Sequence, residues 1–380
     1  MQPRAIPCLA QLTGVPRPTA AAAAVAAAIA PGSDLFFSPW STNISASQNI
    51  SGMVTAPLDA TKAVMFFRNA SAYPCVAVVN VAGVAVTAAM GGAAALIALA
   101  GSGGTVAALS ATKALAAYPG ASNFLDVAVV DIAGNTPTVG TPLTNASQNS
   151  SATMIALSVI SPAKAVCVYR NGAGYLSAVV LEISGSTVTK GNVINVVSGD
   201  CNHMSVAALS DSQAICTYQG PTGYLNAVIL NISGNTVTAG TVLAINSVSS
   251  TKTSVVKLTA DKAVCTFLNN STGYVNGVVL SVSGSTITNG VPAASLINGY
   301  SYHSLAGLTA DRAIQMSGNA PQGHLLSISG TTVGFGPLTT PAGASSAAGF
   351  VYVSALSGAK ALCTYAGLSG YTEAILFAVV

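Results

Sequence analysis

Apolar and polar residues alternate in short runs along most of this chain, and small polar clusters break the runs. The pattern is clearest near residue 210. Ser205-Val-Ala-Ala-Leu-Ser210 reads as one strand, and Asp211-Ser-Gln as a tight turn. Ala214-Ile-Cys-Thr-Tyr218 is a second strand, followed by the longer loop Gln219-Gly-Pro-Thr-Gly223. Leu225 to Ile232 is a third, Ser233-Gly-Asn-Thr a turn, and Val237 to Ala244 a fourth. The breaks are built from Gly, Asn, Asp, Ser and Pro, each of which favours turn backbone for its own steric or hydrogen-bonding reason.

This unit recurs. The phrase around Gln213 has counterparts at Lys62, Lys113, Lys164, Lys262, Arg312 and Lys360, at intervals of 51, 51, 49, 49, 50 and 48 residues. The next residue is Ala in every copy, and Leu or Ile stands four residues before. Four antiparallel strands in about fifty residues make one blade of a propeller. The spacing therefore predicts an all-β fold, a seven-bladed β-propeller with four-stranded blades over 33–380.

The chain ends sharpen that expectation. The seventh copy stops at Leu376-Phe-Ala-Val-Val380, one strand short, while Leu35-Phe-Phe-Ser-Pro-Trp40 is a strand without a blade. The N-terminal strand is expected to complete the last blade and close the ring, removing the open edges. Residues 1–32 are left as a short Ala/Pro-rich arm. Its four prolines by position 18 keep its start extended, and Thr19 to Ala30 has the composition of a short helix that needs a partner.

Composition narrows the function classes. Only 23 of 380 residues are charged, 13 basic and 10 acidic, where a typical globular chain has about a quarter. With 51% hydrophobic residues a large core is available, so low charge does not mean disorder. A net charge of +3 is too weak a field for a nucleic-acid partner. Two apolar stretches raise the membrane question. Ala20 to Ala30 is too short to span a bilayer, and Cys75 to Gly101 is interrupted by Gly91 and Gly92 and alternates like a strand. No membrane insertion is expected, and the early prolines argue against a cleaved signal.

The search for chemistry yields little. Cys167, Cys216, Cys265 and Cys363 share one repeat position on separate blades, which suits buried hydrophobes better than disulfides or a metal. Asp59, Asp211, Asp261 and Asp311 fall in the first turn. Asp131 and Glu182 share another position, as do Asp126 and Glu373, so no acid pair is forced together as glycosidic chemistry requires. His203, His303 and His324 lie on copies four and six and suggest neither a metal nor a catalytic site. No catalytic residue, cofactor or metal is expected. Two repeated features remain as candidate surfaces. Lys62, Lys113, Lys164, Lys262, Arg312 and Lys360 would ring the tight-turn face, as a docking ring for an acidic partner or simply as solvated turn residues. After the second loop comes an aromatic or His residue, Tyr73, Phe124, Tyr175, Tyr224, Tyr274, His324 and Tyr371, as a ligand face or as scaffold.

Copies such as Val228-Ile-Leu-Asn-Ile-Ser-Gly-Asn-Thr-Val-Thr-Ala-Gly240, followed by Ala-Leu-Ser-x-x-Lys-Ala and an aromatic, resemble the propeller repeats of bacteriophage tail fibres and appendages. The resemblance implies a non-catalytic virion structural or adhesive protein, assembled in the host cytoplasm and extracellular when mature. Residues 1–32 would bind other virion proteins, and the loop face a host surface glycan or protein; a homo-oligomer is compatible with the arm. Two alternatives stand beside it. One is a bacterial lectin-like surface or exported propeller, the other a polysaccharide-degrading propeller, which the scarcity of acids disfavours.

Overall fold

A computed structural model describes residues 35–37, 42–43, 51–69, 71, 73–82, 85–87, 94–96, 103–148, 151–298, 302–318, 321–341, 351–366 and 372–379. The arm at 1–32, with Cys8, lies outside the described residues, as do Ser38 to Trp40 and Tyr371. The described elements are all strands, and the fold is an all-β propeller. In the fourth copy the strands are Asn202–Ala208, Gln213–Gln219, Tyr224–Ser233 and Thr236–Ala239, joined at the expected turns.

Each strand's sequence reflects its place. Second strands such as Gln213–Gln219 are buried on both faces because each sheet is sandwiched between its neighbours. They therefore read Ala-Ile-Cys-Thr-Tyr, a near-continuous buried run whose one Thr hydroxyl pairs with Thr253 at 2.9 Å, instead of alternating. The outer strand Thr236–Ala239 alternates, with only Val237 buried. First strands line the centre. Each packs beside the next, and Val351–Ser357 of the last copy lies against Ser51–Asp59 of the first.

Ring closure has specific contacts. Thr55 and Ser354 hydroxyls meet at 3.0 Å, and the Thr372 hydroxyl donates to Met53 Sδ at 3.2 Å. Leu35–Phe37 pairs antiparallel with the last strand, Leu35 opposite Val379 and Phe37 opposite Phe377, with Thr42 further along opposite Ala374.

Among the described residues the hydrogen bonding divides into six sheets and not into the expected seven separate four-stranded ones. Leu243–Thr259 is a single 17-residue strand. Its first half pairs with Tyr224–Ser233 and its second half with Lys262–Asn269, fusing the fourth and fifth copies into one nine-stranded sheet. The fourth strands are also broken in two. After the short outer strand a glycine N–H donates back to the third strand, Gly191 to Val180 and Gly240 to Ile229, and the chain then pairs further along it. Glycine is required there because its neighbour's turn abuts it. A Cβ on Gly191 would stand 1.6 Å from the Asn235 carbonyl oxygen.

The apolar clusters join adjacent copies: Cys265 packs with Ile215, Ile229 and Val278. Cys75, Cys167, Cys201, Cys216, Cys265 and Cys363 are all buried free thiols. Burial raises the thiol pKa of Cys167, Cys216 and Cys363, and pushes that of Cys265 up to about 11. A buried neutral thiol is a poor nucleophile. Thiol titration of the native chain is expected to leave these four unreacted and to label them all in denaturant. Cys265→Ala is expected to lower stability by about 1–3 kcal/mol in urea unfolding.

Candidate functional site

The tight-turn face is tied together internally. Lys62 Nζ donates to the Gly134 carbonyl of the next copy at 3.2 Å, Lys113 to Gly185 at 3.1 Å and Lys164 to Gly234 at 2.7 Å. In the fourth copy Gln213 makes the same bond to Gly284 at 3.0 Å. The accepting glycines have φ of 62, 62, 57 and 56°, the left-handed conformation that turns each carbonyl toward the preceding copy. Lys113 also pairs with Asp131 at 2.5 Å, and this partner lowers the Asp131 pKa. Lys262, Arg312 and Lys360 occupy the same half-buried position. Lys62, Lys113, Lys164 and Gln213 thus staple neighbouring copies, which uses donors that a docked acidic partner would need. The turn acids are local as well: Asp59 accepts from the Thr61 N–H and hydroxyl at 2.7 and 2.6 Å.

On the opposite face the second loop closes in one way in several copies. The Asn69, Gly120, Asn171 and Gly220 N–H groups donate to the carbonyls of Tyr73, Phe124, Tyr175 and Tyr224 at 2.8–3.0 Å. The aromatic residues therefore sit at the loop mouth, Tyr73, Phe124, Tyr175 and Tyr224 half-buried and Tyr274 40% exposed. His324 does not join them. It pairs with Gln315 in the register where Val228 pairs with Cys216, so it occupies an interior position of the third strand. The reason is that the loop in the sixth copy is about three residues shorter, which shifts the alignment. His324 is fully buried, Nδ1 is 2.7 Å from the Gly336 carbonyl, and its ring stands edge-on to Phe335.

The repeated carboxylates are scattered. Asp126 accepts the Asn145 N–H at 3.0 Å, and burial raises its pKa; Glu373 accepts the Tyr365 hydroxyl at 2.6 Å. Among the described residues no group of three His, Cys, Asp or Glu side chains is placed to hold a metal. Among the described residues there is no helix long and apolar enough to cross a membrane.

A polar neighbourhood on the loop face joins the fourth and fifth copies. Ser249 stands opposite Tyr224 in the sheet, and its hydroxyl accepts from Asn270 Nδ2 at 2.9 Å. Thr251 donates to Asn270 Oδ1 at 2.9 Å, and exposed Tyr274 follows at the end of the same loop.

One region was missed by the sequence reading. The first strands of several copies begin with a bulge, at Ser51/Val54, Thr153/Ala156, Asn202/Ser205 and Thr251/Ser254. The bulged residue is left-handed: Gly52 at φ 64°, Met154 at 50°, His203 at 48° and Lys252 at 52°, with Gly103 at 74° in the second copy. The signal was present ten residues before each repeat marker, where Gly, Gly, Met, His, Lys, Tyr and Phe stand in turn. Of these, the described residues Gly52, Gly103, Met154, His203, Lys252 and Tyr302 line the channel mouth on the loop side. Beneath them lies a cavity of about 200 Å³ lined by Met204, Ser205, Thr253, Ser254, His303 and Tyr352 among others.

His303 is 9% exposed, and neither ring nitrogen has a hydrogen-bonding partner among the described residues. Burial, with Lys252 and His203 adding repulsion against a small opposing pull from the Thr266 backbone, holds its pKa down to about 4. The unfolded chain therefore takes up a proton near pH 6.5 that the folded chain resists, so stability falls as pH drops from 6.5 toward 4. The full shift corresponds to about 3 kcal/mol at about 1.4 kcal/mol per unit. Burial lowers His203 and His324 in the same sense. Urea unfolding across this pH range is expected to show a shallower loss for His303→Gln than for the parent chain.

No family model matches the chain, and no curated relative does. Solved structures do. The BP39L lectin from Burkholderia pseudomallei aligns over 88% of this chain and 96% of its own, at 12% identity and a TM-score of 0.62. A protein from Lactobacillus plantarum aligns over 78% and 86%, at 11% identity and a TM-score of 0.57. At such identities the likeness is one of fold: this chain is similar in architecture to these proteins along most of their length.

Proposed function

We propose that this chain is a non-catalytic, carbohydrate-binding β-propeller in which each of the seven repeat copies supplies one blade. The observation that carries the reading is the loop face, where aromatic rings stand beside amide and hydroxyl side chains on a rigid frame. An exposed ring such as Tyr274 offers an apolar surface to the C–H face of a sugar, while Asn270, Ser249 and Thr251 offer donors and acceptors to its hydroxyls. A lectin among the matching solved structures supports the same ligand class and puts the lectin-like reading ahead of the virion one. The repeat resemblance to phage appendages adds a placement on a virion, anchored through residues 1–32. Sugar binding does not depend on that placement.

The test is a glycan array probed with the purified chain, followed by titration of the strongest ligand. Tyr274→Ala and Asn270→Ala are expected to weaken binding roughly tenfold, with unchanged melting curves, as loss of about 1.4 kcal/mol of contact would. Retained affinity in both variants would count against the loop face.

A further inference from the structure

The channel mouth is a second concentration of chemistry, separate from the loop neighbourhood around Tyr274. Three non-glycine side chains hold left-handed backbone at one repeat position, Met154, His203 and Lys252, where the first two copies have glycine. Such a conformation disfavours L-residues by about 1 kcal/mol or more each, and strain of this kind gathers at functional sites. Neighbouring copies touch here: the His203 N–H donates to Met154 Sδ at 3.4 Å, and Lys252 Nζ lies 5.2 Å from the centre of the Tyr302 ring. Met154 and Tyr302 are 44% and 47% exposed.

His303 lies below, lining the cavity, and among the described residues neither ring nitrogen makes a hydrogen bond of good geometry, the Thr266 backbone exerting only a weak pull. A buried polar atom without a partner is costly, and here two share one ring. A neutral imidazole presents one donor and one acceptor, which is the complement of a hydroxyl group. Hydroxyls of Ser205, Thr253, Ser254 and Ser304 line the same space, and the described lining holds no carboxylate. Lys252 at the rim supplies the positive charge, and the Tyr302 ring an apolar face.

We propose that the channel mouth formed by Met154, His203, Lys252 and Tyr302 above His303 binds a sugar acid, its carboxylate at Lys252 and a hydroxyl at His303. The ligand class follows the proposed function, but the site is a different one. The volume suits one pyranose unit and not a chain threading the channel. Entry is from the loop side, so a terminal residue of a longer glycan has access.

Glycine already occupies the bulge position in two copies, so Lys252→Gly and His203→Gly remove side chains while relieving backbone strain. Both variants are expected to melt at or above the parent temperature. The experiment titrates the full chain with glucuronic acid, glucose and inorganic sulfate, by calorimetry or ligand-observed NMR. Glucuronic acid is expected to bind, with glucose and sulfate at least about tenfold weaker. Lys252→Gly and His303→Gln are expected to weaken glucuronic acid about tenfold or more, while Tyr274→Ala leaves it unchanged. Absence of glucuronic acid binding, or undiminished binding in Lys252→Gly, would overturn the proposal. Sulfate binding as tightly as the sugar acid would reduce the site to a simple anion site and overturn it too. Failure of the loop-face reading would show differently, as array ligands indifferent to Tyr274→Ala.

Discussion

Gly191→Ala and Gly290→Ala are expected to destabilise the chain by about 3 kcal/mol each, far more than surface substitutions usually do. Both residues follow an outer strand and face the next copy's turn. An added Cβ would stand 1.6 Å from the Asn235 carbonyl oxygen at Gly191, and 1.9 Å from that of Thr331 at Gly290. The obstacle is backbone within a hydrogen-bonded turn, so relief requires neighbouring sheets to separate. Gly240 is the graded control, because its Cβ would meet the Ser285 carbonyl oxygen at 2.7 Å. A smaller loss is expected there. Gly284 is a different control: nothing lies within 4 Å, but φ is +56°, so alanine should cost only the left-handed penalty of about 1 kcal/mol. Urea unfolding of the four variants should give the order Gly191 and Gly290, then Gly240, then Gly284. Equal losses at all four would show that the close approach does not govern the interface.

Removal of the closing strand is expected to have the largest effect of all. Deleting residues 1–43 removes the segments paired with Thr372–Val379, from Leu35 opposite Val379 to Asn43 opposite Glu373. It leaves the hydrogen-bonding edge of an apolar strand, with Ile375, Leu376 and Phe377 at its centre, without its partner. Such edges recruit other chains. The truncated chain is expected to aggregate or to lose cooperative unfolding. Transferring residues 33–43 to follow Val380, joined by a Ser-Gly-Asn-Thr turn, would give the last copy the strand order of the others. That rearranged chain is expected to recover solubility and a single melting transition, read by circular dichroism. A soluble, cooperative truncation would mean that the ring holds without its clasp.

Much of this architecture was legible because the repeat writes it seven times. Period-two alternation marked the strands, and the strand at Leu35, which has no blade of its own in the repeat, pointed to the closure. The fusion of two copies through Leu243–Thr259 was not legible, because local pattern cannot say where one long strand changes partners. His324 was misplaced because a shortened loop moves the register while leaving the sequence phrase similar. The cations read as a ring, but the acceptors of Lys62, Lys113 and Lys164, turn glycines of the next copy, lie about 70 residues away and leave no local trace. The channel mouth was hidden for the opposite reason. Met154, His203 and Lys252 share a backbone conformation and differ in side chain, so a search for repeated residue types passes over them.

The most direct test of carbohydrate binding is a glycan array on the purified chain, read beside an assay of the recovered saccharides. The account predicts saturable binding to a defined set of glycans, loss with Tyr274→Ala or Asn270→Ala at unchanged melting temperature, and saccharides returned intact. Binding to no glycan, or recovery of cleaved sugars, would contradict it.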